Sequence, residues 1–212
     1  MIVFSAAVKL FVDSADPTEI GACVAAKGTC GVTTSASRLA DAARGAGADP
    51  RALLGAIAGV ANGPVFVAVT APDVDGLMRE TRDWASALAD VVALLPGTDA
   101  GVEAARACAG ARIRTAVGPF ARPEQGLAAA HAGAAFVLAQ VGRAAGVDGN
   151  DMIRKLVALL RTYDMRTEVV ASAIEIPVQV IDAALAGAHA ATASGAVVRQ
   201  LDAESSRIAD GG

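Results

Sequence analysis

The stretch Val8-Lys9-Leu10-Phe11-Val12-Asp13-Ser14-Ala15-Asp16-Pro17-Thr18-Glu19 predicts a short strand followed at once by a helix. Its first half is a brief apolar run, which is typical of a strand covered on both faces. Its second half offers Asp16 as a helix N-cap, Pro17 at the first helical position and Glu19 to complete a capping box. The same strand-then-helix unit recurs along the rest of the chain.

Short apolar runs alternate with longer helical stretches, and further helix starts are predicted at Asp49-Pro50, Arg122-Pro123 and Ile176-Pro177. Eight strand–helix pairs within about 200 residues predict an α/β fold, a single (β/α)8 barrel. A doubly wound open sheet is the alternative, but no Gly-x-Gly-x-x-Gly follows the first strand. The predicted strands cover residues 8–13, 31–34, 64–70, 91–95, 113–117, 135–138, 168–172 and 188–191.

We take residues 1–212 as one domain, with a short N-terminal extension over residues 1–7 and a short polar tail over residues 202–212. The chain is 54% hydrophobic and 19% charged, which is ample apolar material for a layered core. Its net charge of −4, without a basic run, argues against a nucleic-acid partner.

The sequence also limits the compartment and the cofactors. The three cysteines and two histidines show no metal-ligand spacing, and buried thiols in a reducing cytoplasm are the expected state. The opening residues lack the basic start of a signal peptide, and no apolar run approaches the ~18 residues that a bilayer requires. We therefore expect a cytoplasmic protein without membrane contact, acting on a small molecule, with neither metal nor cofactor.

Two motifs carry a resemblance to a known family. Leu10-Phe11-Val12-Asp13-Ser14-Ala15-Asp16 and Gly31-Val32-Thr33-Thr34-Ser35-Ala36-Ser37 are similar to L-F-V-D-T-A-D and G-V-T-T-N-P-S of the small transaldolases and fructose-6-phosphate aldolases. Weaker matches follow in the same order, at Val141-Gly142-Arg143 and Thr167-Glu168-Val169-Val170-Ala171 among others, over roughly residues 8 to 200. The resemblance implies a transaldolase-like barrel whose active site lies at the carboxyl ends of the strands.

Leu94 occupies the position that decides the chemistry. The resemblance implies a lysine on the fourth strand, in a pattern like V-V-K-I-P, which forms a Schiff base with a ketose carbonyl. Here the matching stretch is Val91-Val92-Ala93-Leu94-Leu95-Pro96, and leucine has no amine that could attack a carbonyl. The lysines that the chain does contain are predicted at the opposite end of the barrel from the active site or on its outer surface: Lys9, Lys27 and Lys155. We therefore expect no Schiff-base chemistry.

Asp13 is the strongest remaining candidate for catalysis. The resemblance places it at the barrel mouth, where the missing lysine would otherwise be its cationic neighbour. With apolar Leu94 and Ala68 nearby, we expect the pKa of the Asp13 carboxyl to be raised into a working acid/base range. The alternative is a structural carboxylate that caps the following turn and bonds Thr33 or Thr34.

Further residues at the predicted strand ends are candidates for binding substrate. The resemblance implies an anion-binding Arg143, but Glu175 could pair with it and reject a phosphate. The hydroxyls after strand two could instead satisfy the turn there. The other candidate ligands are Thr33, Thr34, Ser35 and Gln140. The pocket is expected to be lined by Ala68, Leu94, Gly118, Ala173 and Glu175, where polar or basic side chains of the family are replaced.

Three functions remain open from the sequence. The leading hypothesis is a repurposed enzyme that uses acid/base chemistry on a small, relatively apolar substrate, as a lyase, isomerase, dehydratase or cyclase in specialised metabolism. The second is a non-catalytic barrel that binds a ligand or a partner. The third, which Leu94 disfavours, is a transaldolase or sugar-phosphate aldolase. The resemblance also implies a homo-oligomer, although the tail after Leu201 is short and polar.

Overall fold

The computed structural model describes residues 8–26, 29–88, 90–142 and 148–210, with side chains up to residue 203. Within these residues, eight parallel strands pair in chain order and close into a barrel, so the predicted (β/α)8 fold is confirmed. We call the carboxyl ends of the strands the barrel mouth and their amino ends the barrel base. The strands are β1 Lys9–Asp13, β2 Thr29–Ser35, β3 Val65–Ala68, β4 Val91–Leu95, β5 Thr115–Phe120, β6 Phe136–Gln140, β7 Glu168–Ile174 and β8 Ala190–Ser194.

The helices of the described residues form the outer layer, and β2 is followed by two of them. Four begin at the prolines of the predicted starts, because proline fits the first turn of a helix. No helix of the described residues is long and apolar enough to cross a membrane. The helices are α1 Pro17–Ala25, α2 Ala36–Ala46, α3 Pro50–Val60, α4 Val74–Ala87, α5 Asp99–Gly110, α6 Pro123–His131, α7 Gly149–Thr162, α8 Pro177–Leu185 and α9 Gly195–Asp210.

The barrel interior is filled by side chains. Phe11, Phe66 and Phe136 form an aromatic plug, with ring centroids 5.2 and 4.9 Å apart. Small and branched residues complete this cluster, so the mouth and the base are not joined by an open channel through it. Alternate residues of each strand face outward and pack against the helices. The other members of the interior cluster are Val92, Ala116, Leu138, Val170 and Ala190.

Four predicted segments require correction or fall outside the described residues. The fifth strand was predicted over residues 113–117, but β5 runs from Thr115 to Phe120. The eighth strand was predicted over residues 188–191, but β8 runs from Ala190 to Ser194, paired residue by residue with β1. Its alanine, threonine and serine residues form no apolar run that would mark it. The predicted polar tail continues as α9 through Asp210, and the predicted extension over residues 1–7 lies outside the described residues.

Candidate active site

Asp13 lies at the end of β1, at the barrel mouth. Its neighbours in register are Thr33 on β2 and Ser194 on β8. The side chain is 39% exposed, so its carboxylate is open to the solvent at the mouth. The structure therefore places Asp13 at the end of the barrel where the sequence predicts a site, although position alone does not make it catalytic.

Arg38, in the first turn of α2, is the cationic partner of Asp13. Its Nη1 lies 2.8 Å from Asp13 Oδ1 and also donates to the backbone oxygen of Asp13 at 3.1 Å. The premise that Asp13 has no cation beside it is therefore wrong: the amine is absent, but a guanidinium reaches in from the helix. The helix dipole disfavours a positive charge in the first turn of a helix. Arg38 in this position is therefore a sequence signal that a carboxylate lies nearby.

A chain of hydroxyls orients the same carboxylate. Thr33 Oγ1 donates to Asp13 Oδ1 at 3.3 Å and lies 2.6 Å from Thr192 Oγ1. Because the Thr33 hydroxyl donates its single proton towards Asp13, the Thr192 hydroxyl is the donor in the bond between the two threonines. The ion pair with Arg38 and the hydrogen bond from Thr33 both fall on Oδ1. Thr192 was missed because β8 was predicted to end before it.

Of the two residues after Thr33, only Ser35 faces the mouth in the alternation of the strand, in register with Ala68. Successive side chains of a strand point to opposite faces, so Thr34 points away from the barrel interior, towards the helices. Its hydroxyl is buried without a hydrogen-bond partner among the described residues. The predicted substrate contact of Thr34 is therefore corrected. Ser35 caps α2, because its Oγ accepts from the backbone N–H of Arg38 at 3.1 Å. This is the structural role that the sequence left open for Ser35.

The part of the mouth formed by β3 and β4 is apolar. Ala68 on β3 pairs in register with Leu94 on β4, and Leu94 packs against the interior cluster. Of the described lysines, Lys9 lies at the base in an ion pair with Glu168, and Lys155 is exposed on α7 beside Asp151. Lys27 lies outside the described residues.

Gly118 is a glycine for two physical reasons. Its φ is +145°, a backbone conformation that side chains disfavour. A Cβ at this position would also lie 2.9 Å from the Cβ of Leu138, in space that Leu138 already fills. The side chain that the family resemblance implies at position 118 therefore has no room here.

Gln140 and Ser172 form a second polar pair, in register at the ends of β6 and β7. They alternate with Leu138 and Val170 of the interior cluster, so both face into the barrel. Ser172 Oγ donates to the backbone oxygen of Ala139 at 3.1 Å, and the strand-end prediction had passed over this serine.

The turn after β7 is irregular. Ala173 is exposed and has φ +58°, which is unusual for a residue with a side chain. Glu175 is exposed, and its backbone N–H donates to Gln179 Oε1 at 2.7 Å. The predicted partner Arg143 lies outside the described residues, so the Glu175–Arg143 pair stays a prediction.

Three further titratable groups of the described residues have shifted pKa values. Burial raises the pKa of the Cys23 thiol, with a further increase from the Glu19 carboxylate, and burial likewise raises the pKa of Cys108. Burial lowers the pKa of His189 at the barrel base, and its Nδ1 accepts from Val169 N at 3.0 Å. Within the described part of the chain, no three His, Cys, Asp or Glu side chains are grouped as a metal site requires.

Comparison with known proteins identifies the family. Residues 10–210 match the family model described as transaldolase/fructose-6-phosphate aldolase. A probable transaldolase of Sorangium cellulosum is 38% identical over 196 residues, which cover 91% of this chain and 88% of the relative. Probable transaldolases of Clostridium acetobutylicum and Roseiflexus sp. are 35% and 37% identical, over 91% of this chain and 89% and 88% of theirs. The chain belongs to the transaldolase/fructose-6-phosphate aldolase family.

Proposed function

We propose that this member of the family is an enzyme that works without a Schiff base and uses Asp13 for acid/base chemistry. One observation carries the proposal: apolar Leu94 and an oriented, solvent-open Asp13 share the barrel mouth. An aldolase imine requires an amine at the position of Leu94, whereas a proton transfer requires only a positioned carboxylate.

The contacts of Asp13 support this role. Arg38 and Thr33 hold Oδ1, so the carboxylate is fixed in one orientation while Oδ2 faces the substrate. In the proposed reaction, Oδ2 accepts a proton from the substrate and returns it at another atom, which leaves the protein unchanged. Such a transfer serves an isomerisation directly, and it serves a lyase, dehydration or cyclisation step when the returned proton goes to the leaving or ring-closing group.

The lining of the mouth suggests the class of substrate. Ala68 and Leu94 offer an apolar surface, and Thr33 on β2 and Gln140 on β6 offer hydrogen bonds to either side of it. We propose a small, relatively apolar molecule of specialised metabolism with one or two polar groups. Arg143 is proposed to bind an anionic group of this substrate when Glu175 does not compete for the guanidinium.

Transaldolase activity is the second candidate, and the names of the relatives favour it. It requires a lysine at the reacting carbon, and the two described lysines are paired at the base and on an outer helix. The test is borohydride reduction with dihydroxyacetone or fructose 6-phosphate, followed by mass spectrometry of the intact protein. We expect no adduct on the natural chain, and Leu94→Lys provides the positive control. A reduced adduct on the natural chain would overturn the proposal.

A second experiment separates the enzyme from a non-catalytic barrel. Cells whose own gene carries Asp13→Asn are compared by metabolite profiling with a deletion strain. We expect the two profiles to agree. Asp16→Asn is the matched control, because asparagine caps α1 as well as aspartate does, and this strain should resemble the parent. A parental profile for Asp13→Asn, with normal protein levels, would favour the binding role.

Assembly and location complete the proposal. We propose a homo-oligomer, supported by exposed apolar side chains along one stripe of α8: Val178, Ile181 and Leu185. Light scattering of Leu185→Glu against the natural chain tests it, and an unchanged mass would remove this stripe as the contact. A cytoplasmic location is proposed because free thiols such as Cys23 suit a reducing compartment.

A further inference from the structure

The barrel base carries a cavity of about 520 Å3, on the face opposite the mouth. It opens below the first residues of β6 and β7, and we call it the base groove. Its volume lies within the ~300–1,000 Å3 range of small-molecule sites. The side chains that matter for its chemistry are Arg114, Phe136, Met165, Arg166, Thr167 and Glu168.

The base groove has an excess of positive charge. Glu168 is the only carboxylate among the described lining residues, and Lys9 Nζ binds both of its oxygens at 2.8 and 2.9 Å. Neighbouring His189 has a pKa lowered by burial, so it stays largely uncharged at neutral pH. Arg114 and Arg166 have no ion pair with a described residue, which leaves two guanidinium groups uncompensated beside the groove.

The walls of the groove are held in place. Arg114 lies over the ring of Phe136, with its Cζ 5.4 Å from the ring centroid, which limits where the guanidinium can point. Thr167 Oγ1 donates to the backbone oxygen of Ala134 at 2.8 Å and ties the loop before β7 to the loop before β6. The planar fork of a guanidinium group can donate to two oxygens of one carboxylate or phosphate.

We propose that the base groove is a second ligand site, for a small metabolite that carries phosphate or carboxylate groups. The phosphate or carboxylate oxygens of this metabolite bind Arg114 and Arg166, and its carbon skeleton lies against Phe136 and Met165. The aromatic plug separates this ligand from the mouth, so it is not the substrate of the reaction proposed for Asp13.

Titration calorimetry with inorganic phosphate and with citrate, at constant ionic strength, tests the proposal and distinguishes the two oxyanion classes. We expect saturable binding of at least one of them. Arg166→Gln and Arg114→Gln should each weaken it about tenfold or more, as expected for a lost charge-assisted pair. Arg114→Lys should weaken it less than Arg114→Gln, because the charge remains while the fork is lost.

Arg51→Gln is the matched control, since Arg51 is an exposed arginine on α3 outside the groove. It should bind as the natural chain does, and thermal melts of all variants verify folding. The proposal fails if phosphate and citrate both give no saturable heat, or if Arg51→Gln weakens binding as much as the groove variants. It also fails if the groove variants change the oligomeric mass, since the arginines would then serve a partner chain.

Discussion

The two ends of the barrel use their charges differently. At the mouth, the Asp13 carboxylate is exposed, and one hydroxyl and one guanidinium contact a single oxygen of it. At the base, the carboxylate of Glu168 is bound on both oxygens by an amine, and two guanidinium groups remain beside it. The chain therefore has an amine on β1, but at the opposite end of that strand from Asp13. The position of a group along a strand, more than its presence, decides its chemistry.

The largest expected effect on stability comes from disrupting the aromatic plug between the barrel mouth and the barrel base. Phe66 is fully buried between Phe11 and Phe136, so Phe66→Ala leaves a cavity and should lower the free energy of unfolding by about 3–5 kcal/mol. Urea titration followed by circular dichroism measures it. Tyr163→Ala is the control, because Tyr163 is 55% exposed and should cost far less. Equal losses for the two variants would contradict a packed plug.

The next effect contrasts two adjacent threonines of β2. Thr33→Val breaks the hydroxyl chain and leaves Thr192 without that partner, so we expect a loss of about 1–3 kcal/mol in unfolding free energy. Thr34→Val removes a buried hydroxyl that has no partner among the described residues, and should be neutral or stabilising. Urea titrations of both variants give the comparison. A larger loss for Thr34→Val would reverse the inward and outward assignment.

A smaller effect, dependent on pH, is expected at the base. Burial lowers the folded-state pKa of His189 below its unfolded value near 6.5, so the unfolded chain binds the proton more readily. Its contribution to stability is therefore complete above about pH 6.5 and is lost as the pH falls through the folded pKa. His189→Asn keeps an acceptor for Val169 N–H without titrating. Melting temperatures from pH 7.5 down to 5 should fall less steeply in this variant, and parallel curves would exclude the mechanism.

The smallest effects are expected from the surface ion pairs at each end. Lys9→Gln and Arg38→Gln should each change the unfolding free energy by less than about 1 kcal/mol, because both pairs are exposed to solvent. Since the aromatic plug lies between them, the double variant should equal the sum of the single ones within ~0.5 kcal/mol. A larger departure from additivity in urea titrations would show that the two ends are coupled.

The fold could be predicted from the sequence because its signals are local. Apolar runs and the proline starts of α1, α3, α6 and α8 each mark an element within a few residues. β5 and β8 both begin two residues and end three residues later than predicted, and in β8 the small side chains give no such run. The boundary error in β8 also hid Thr192, which belongs to the site.

The site was less predictable because its contacts join distant residues. The sequence identified Asp13 and the replacement at Leu94, but the pairing of Asp13 with Arg38 depends on how α2 leaves β2. Thr34 was assigned to the mouth because the family motif does not show which residue of a strand faces inward. The base groove could not be found at all, since loops before three different strands form it.

The tight fit between Gly118 and Leu138 restricts which side chains the wall of the mouth beside β4 can carry. Restoring a side chain at position 118 requires that the backbone of β6 move, because a Cβ would lie 2.8 Å from the Leu138 backbone oxygen, and that position 118 leave its positive φ. An amine at position 94 alone would capture a carbonyl, but the wall beside it would still lack its polar group. A substitution at position 118 alone would therefore lose packing before any polar group placed there could act.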